Sequence, residues 1–220
     1  MDTVFYTADV SALEDERLFQ AAYRAVPPAR QEKIDRLRCP GDKRLSAGAA
    51  LLLHLALREA GVPEDRMCFL MRGEGKPCLA TGEVSFNLSH SGTVAACAVS
   101  PFEIGCDVER IGNGGLPIAR RFFHPAEVGW LTSSPEDERD VRFYRLWTLK
   151  ESFVKATGEG MRLPLASFSA VPGDDAPIMW NGHLYRFAEV HDVAGYCAAV
   201  CVRDGEAAVV RRQIDLTAVL

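Results

Sequence analysis

The chain has 220 residues, 48% of them hydrophobic and 25% charged, a globular composition long enough for a sizeable core, which excludes disordered and collagen-like architectures. Its formal net charge of −5 disfavours general nucleic-acid binding. No run approaches the ~18 to 20 apolar residues of a membrane span, and the start lacks a basic segment followed by an apolar one, so a cytoplasmic protein with no membrane partner is expected.

The charge is uneven: eight basic and three acidic residues stand between Arg17 and Arg44, a local +5 that leaves −10 for the remainder. Residues 41–61 read as a helix, since Leu45, Ala49, Leu52, Leu53 and Ala56 recur at three- and four-residue steps and Gly61-Val62-Pro63 supplies a stop. Strands are predicted over 67–71, 84–88, 94–99 and 104–108, separated by turns at 73–77, 89–92 and 100–101. After a loop at 112–115, a short helix starts at His124-Pro125-Ala126-Glu127, because proline suits the first helical position and an acid suits the positive end of the dipole. A polar connector at 133–140 leads to a long helix over 141–157 that ends at Gly158, then strands at 168–171, 184–190 and 196–202.

The second half thus repeats the order of the first, and Val94-Ala95-Ala96-Cys97-Ala98-Val99 is echoed by Cys197-Ala198-Ala199-Val200-Cys201-Val202. An α+β fold of two similar halves is expected, 1–110 and 111–220, with a cleft between them. The seven cysteines are odd in number, lack C-x-x-C spacing and sit partly within apolar runs, which fits a reducing compartment. Cys197 and Cys201 would share a sheet face, but this zinc half-site has no second pair.

Ile104-Gly105-Cys106-Asp107-Val108-Glu109 places two carboxylates two residues apart, hence on one face of a strand. Paired oxygens suit a hard cation such as Mg²⁺, although an isolated D-x-E is more often two solvated acids. On a helical wheel, Leu146, Leu149, Phe153 and Ala156 face a core while Trp147, Lys150, Glu151 and Lys155 share another arc, which alone could be a solvated face. Phe86-Asn87-Leu88-Ser89-His90-Ser91-Gly92 runs from a strand into a polar turn that could surround a phosphate or form a plain hairpin.

The ordered combination F-N-x-S-H-S, G-x-D-x-E and W-x-x-K-E-S-x-x-K resembles the 4′-phosphopantetheinyl transferases of the larger, surfactin-synthetase-activating type, from about residue 28 to 168. The resemblance implies a single-chain pseudodimer, active as a monomer, with its site in the cleft. It implies transfer of the phosphopantetheine arm of coenzyme A to a carrier-protein serine, as in nonribosomal peptide or polyketide biosynthesis, with release of adenosine 3′,5′-bisphosphate. Asp107, Glu109 and Glu151 would hold Mg²⁺, with Mn²⁺ the alternative, together with the donor's diphosphate. Ser89, His90, Lys150 and Lys155 would surround the phosphates, Arg44, Lys76 and Pro77 the nucleotide, and Arg30 and Lys33 the 3′-phosphate. Glu151 would be the general base, with Glu127 its competitor, and Lys155 and His90 would assist transfer. Cys106 departs from the branched aliphatic residue common at its position. Leu116, Ile118, Arg120, Arg121, Phe122 and Phe123 offer an apolar contact rimmed by arginine for an acidic carrier helix. Two other functions use the same residues: an Mg²⁺-dependent diphosphate hydrolase and a non-catalytic carrier-binding module.

Overall fold

The computed structural model describes residues 1–174 and 176–220. In chain order it contains β1 (Thr3–Asp9), α1 (Glu16–Ala25), α2 (Pro28–Arg36), α3 (Pro40–Glu59), β2 (Phe69–Arg72), β3 (Lys76–Leu79), β4 (Ser85–Ser91), β5 (Val94–Ser100), β6 (Ile104–Arg110), α4 (Leu116–Phe122), α5 (Pro125–Thr132), α6 (Arg139–Thr157), β7 (Ile178–Trp180), β8 (His183–Val190), β9 (Tyr196–Arg203), β10 (Val209–Ile214) and α7 (Leu216–Val219). Two four-stranded sheets, β10-β1-β5-β4 and β6-β9-β8-β7, form the frame, and β2 and β3 make a separate hairpin.

Every pairing is antiparallel except β1 with β10. The echoed segments are β5 and β9, each flanked by strands of its own sheet. Along β5, Ala95, Cys97 and Val99 pack toward α3, while Val94, Ala96 and Ala98 join Cys106, Val108, Ala198, Val200 and Val202 between the sheets. On the far side, Ala199 and Cys201 meet Leu149 and Phe153 of α6. The layers therefore run α3, first sheet, second sheet, α6, an α+β pseudodimer built on the period-2 alternation of strands buried on both faces. Sheet membership follows chain order only in part. β6, ahead of residue 110, lies in the second sheet, and β10 returns to the first.

The two sheets are stitched along one seam. β6 is an edge strand, and the N–H groups of Cys106, Val108 and Arg110 point toward β4. Unpaired edge groups are costly when buried. Asn87 Oδ1 accepts from Cys106 at 2.9 Å, Ser89 Oγ from Val108 at 3.3 Å and Ser91 Oγ from Arg110 at 3.1 Å, so alternate β4 side chains replace a backbone ladder.

Two expectations change. Ser89, His90 and Ser91 belong to β4, so the turn begins only at Gly92. Residues 168–171 form no strand: Phe168 O accepts from Lys150 Nζ and Ala170 N–H donates to Glu127 Oε1, so buried side chains serve that backbone in place of a neighbouring strand. The basic stretch of 17–44 is largely helical in α1 and α2, where Pro28 opens α2 and Ile34 is its buried residue.

Candidate active site

α6 crosses β6 at close range. A Cβ on Gly105 would lie 2.0 Å from Ser152 O and 2.4 Å from Ala156 N, so only glycine lets the helix approach this far. Leu149, Phe153 and Ala156 are buried, leaving Glu151 and Lys155, one turn apart, above the acids of β6. Gly158, with φ +73°, ends the helix in the left-handed conformation.

Asp107 is 3% exposed. Its Oδ1 accepts from Lys155 Nζ at 2.7 Å and from Ser89 Oγ at 2.7 Å, and Lys155 also donates to Ser89 Oγ at 3.1 Å. Ser91 Oγ donates to Glu109 Oε2 at 2.7 Å. Asp107 Oδ2 is buried with no hydrogen-bond partner among the described residues. Burial raises the pKa of Asp107 although Lys155 and Ser89 pull it down, and burial likewise raises Glu109 and Glu151, with further upward pressure from neighbouring carboxylates. Burial alone would lower Lys155, but Asp107 and the other anions around it reverse the sign, and its pKa is raised.

These groups border a cavity of about 500 Å³ whose wall brings together Arg30, Lys33, Pro77, Ser89, His90, Asp107, Glu109, Glu151 and Lys155, along with Ser46 and Trp147. As the side chains stand, no three His, Cys, Asp or Glu among the described residues are disposed to hold a metal ion. The donor set nevertheless fits a hard cation: one buried carboxylate oxygen lacks a partner, and burial, only partly offset by Lys155, raises the pKa of all three acids. A second cavity, of about 510 Å³, shares Pro77, Glu151 and Lys155 with the first and is otherwise walled largely by apolar side chains, including Phe122, Val154, Met161, Leu163 and Leu165.

Three residues expected here lie elsewhere. Lys150 is 0% exposed, donates to Glu127 Oε1 at 2.7 Å and Phe168 O at 3.0 Å, and stands 4.0 Å from the Phe168 ring centroid. Its position one residue before Glu151 turns it about 100° around the helix, away from the cavity. Arg44 pairs with Glu14 at 3.4 Å and lines a separate cavity beside α1. Lys76 Nζ is held by Ile104 O at 2.8 Å and Glu103 at 3.2 Å, so it anchors the β2–β3 hairpin to β6 and borders only the second cavity.

Glu127 is also closed to substrate. It is fully buried, caps α5 by accepting from His124 N at 2.9 Å, and accepts from Lys150 and from Ala170 N. In the segment expected to meet a partner, Ile118, Arg120, Arg121 and Phe122 are exposed, whereas Phe123 is buried and stacked on Phe143, and Leu116 packs at the core's edge. Cys106 faces the inter-sheet core, where burial pushes its thiol up to about 12 and keeps it neutral. Cys197 and Cys201 are buried free thiols, also raised by burial.

The sequence reading gave no role to Ser91, Asn87 or Trp147. The alternation of Asn87, Ser89 and Ser91 was the signal for the seam, and Trp147 falls four residues before Glu151, on the same helix face.

Comparison with known proteins places the chain in a family. Residues 103–201 match the model of the 4′-phosphopantetheinyl transferase superfamily, and 14–102 match that of the 4′-phosphopantetheinyl transferase N-terminal region. A 4′-phosphopantetheinyl transferase of Bacillus subtilis is 35% identical over 204 residues, spanning 90% of this chain and 89% of the relative. The chain belongs to the 4′-phosphopantetheinyl transferase superfamily. The 4′-phosphopantetheinyl transferase Sfp of Bacillus subtilis strain 168 is 32% identical over the same shares of the two chains, and HetI of Nostoc is 37% identical over 54% of this chain and 53% of its own. The enzyme class is thereby that of the phosphopantetheinyl transferases. The division between the two family models, at 102 and 103, falls just ahead of β6. Among the described residues no helix is long and apolar enough to cross a membrane.

Proposed function

We propose that this transferase moves the 4′-phosphopantetheine arm of coenzyme A to a serine hydroxyl of an apo acyl or peptidyl carrier protein, releasing adenosine 3′,5′-bisphosphate. The single observation that carries the reading is the partnerless, buried Asp107 Oδ2 in a cavity shared with Glu109, Glu151 and Lys155. Asp107, Glu109 and Glu151 would hold Mg²⁺, or Mn²⁺ in its place. Such an ion, when bound, supplies positive charge to the oxygens of a diphosphate.

The residues of the chain do the rest. Arg30 and Lys33 bind the nucleotide's phosphate end, and Ser89 and His90 flank the diphosphate. An ammonium has three N–H donors, and Lys155 commits two, to Asp107 and Ser89, leaving one for a diphosphate oxygen. Glu151 stands where both cavities meet, a position from which its carboxylate takes the carrier serine's proton. The serine oxygen forms a bond to the β-phosphorus, and the bond from that phosphorus to the bridging oxygen breaks, so the electron pair leaves with the bisphosphate. The arm extends into the second, apolar cavity. The carrier docks at its rim on Ile118, Arg120, Arg121 and Phe122, an exposed apolar pair beside two arginines.

We further read the protein as a cytoplasmic monomer whose halves divide ahead of β6. Incubation with coenzyme A, Mg²⁺ and an apo carrier tests the reading: the carrier should gain the mass of one phosphopantetheine arm. Nucleotide release without a change in carrier mass would support diphosphate hydrolysis instead.

A further inference from the structure

Asn87 is 6% exposed and sits on β4 at the first rung of the seam, where its Oδ1 accepts the Cys106 N–H at 2.9 Å. The two rungs that follow are served by serine: Ser89 and Ser91 each supply one oxygen to a β6 N–H. A serine-like acceptor would therefore suffice at 87, and the amide brings two N–H donors that the seam does not use. Oδ1 is committed to that contact, while Nδ2 makes no hydrogen bond to the described residues and is not among the fully buried polar atoms left without a partner, so it stays open to a ligand. The side chain borders the second cavity, whose remaining walls are largely apolar away from Glu74, Lys76, Glu151 and Lys155; Lys76 Nζ is already held by Glu103 and Ile104 O. A donor held rigidly on an apolar wall discriminates strongly, because a ligand without an acceptor leaves it unpaired.

We propose that Asn87 is a specificity-determining residue, whose side-chain N–H₂ donates to a carbonyl of the group being transferred. The inference rests on the reading that the arm of the donor enters the second cavity. The chemistry matches: the phosphopantetheine arm carries two amide carbonyls, and Asn87 lines the same cavity as Glu151 and Lys155. Asn87 thus couples the two uses of one side chain, joining the halves through Oδ1 and reading the donor through Nδ2.

The test compares two donors, coenzyme A and an analogue in which the same 3′-phosphorylated adenosine diphosphate is esterified with a plain alkyl chain lacking amides. Asn87→Ser keeps an oxygen for the Cys106 N–H, and the uncharged Asn87→Thr does so with more volume if the serine variant folds poorly. Either variant should lower kcat/KM for coenzyme A about tenfold, the size of one lost hydrogen bond, and leave the alkyl donor and inhibition by adenosine 3′,5′-bisphosphate unchanged. Equal losses on both donors would reduce Asn87 to a seam residue, and no loss on coenzyme A would overturn its donor role. If the wild type accepts neither donor while still binding the bisphosphate, coenzyme A is not the donor, and the inference falls with that reading.

Discussion

Gly105 lies directly beneath Ser152, so close that a Cβ at 105 would stand 2.0 Å from the Ser152 carbonyl oxygen. This contact sets the height of α6 above β6, and thereby the separation of Glu151 and Lys155 from Asp107. Gly105→Ala must lift the helix or bend the strand. A destabilisation of about 1–3 kcal/mol is expected, together with a fall in kcat larger than any change in KM for the donor. Denaturant unfolding and steady-state kinetics check both, and an unchanged kcat would show that helix height does not matter to the chemistry.

Lys155 holds Asp107 at 2.7 Å and is expected to clamp the leaving diphosphate. Lys155→Ala should cost about 10² to 10³ in transfer rate, as the removal of a preorganised oxyanion donor does. Single-turnover transfer to an apo carrier measures this directly, and a wild-type rate would remove Lys155 from the chemistry.

Lys150, one residue from Glu151, behaves oppositely. Its pair with Glu127 is fully buried, so Lys150→Ala strands a charge and should destabilise the fold by about 3–5 kcal/mol. The double variant Glu127→Leu with Lys150→Met should recover much of that loss, because both charges leave together. Equilibrium unfolding of the single and double variants tests the claim, and a stable single variant would contradict it.

The acids at the site make a pH prediction with a definite sign. Asp107 has a raised pKa, chiefly through burial, so between its unfolded and folded values the native state binds more protons than the unfolded one. Stability contributed by this group therefore falls as pH rises through that window. In metal-free buffer, wild-type stability should decline more steeply than that of Asp107→Asn as pH rises upward from the ordinary aspartate value. Parallel profiles from denaturant titrations would mean that Asp107 is compensated in the folded protein.

Much of this architecture was legible because periodicity reports burial. The helix with Leu45, Leu52 and Ala56 at helical steps appears as α3, and the alternating residues of 94–99 and 196–202 appear as β5 and β9. Sequence reading failed where a tertiary partner replaces a local signal. Phe168 and Ala170 look strand-like but are satisfied by Lys150 and Glu127. Within the W-x-x-K-E-S-x-x-K motif, the charges of Lys150 and Lys155 are identical in sequence, yet one is sealed in the core and the other borders the cavity. Arg44 and Lys76 are likewise basic residues in suggestive places, whose acidic partners Glu14 and Glu103 no local pattern reveals.

Calorimetric titration of coenzyme A into the protein, with and without Mg²⁺, tests most directly whether the two acids of β6 and the acid of α6 act on one ion. Wild-type protein should bind the donor more tightly when Mg²⁺ is present, and Asp107→Ala, Glu109→Ala and Glu151→Ala should each lose that gain while remaining folded. An undiminished Mg²⁺ effect in all three variants would contradict the account.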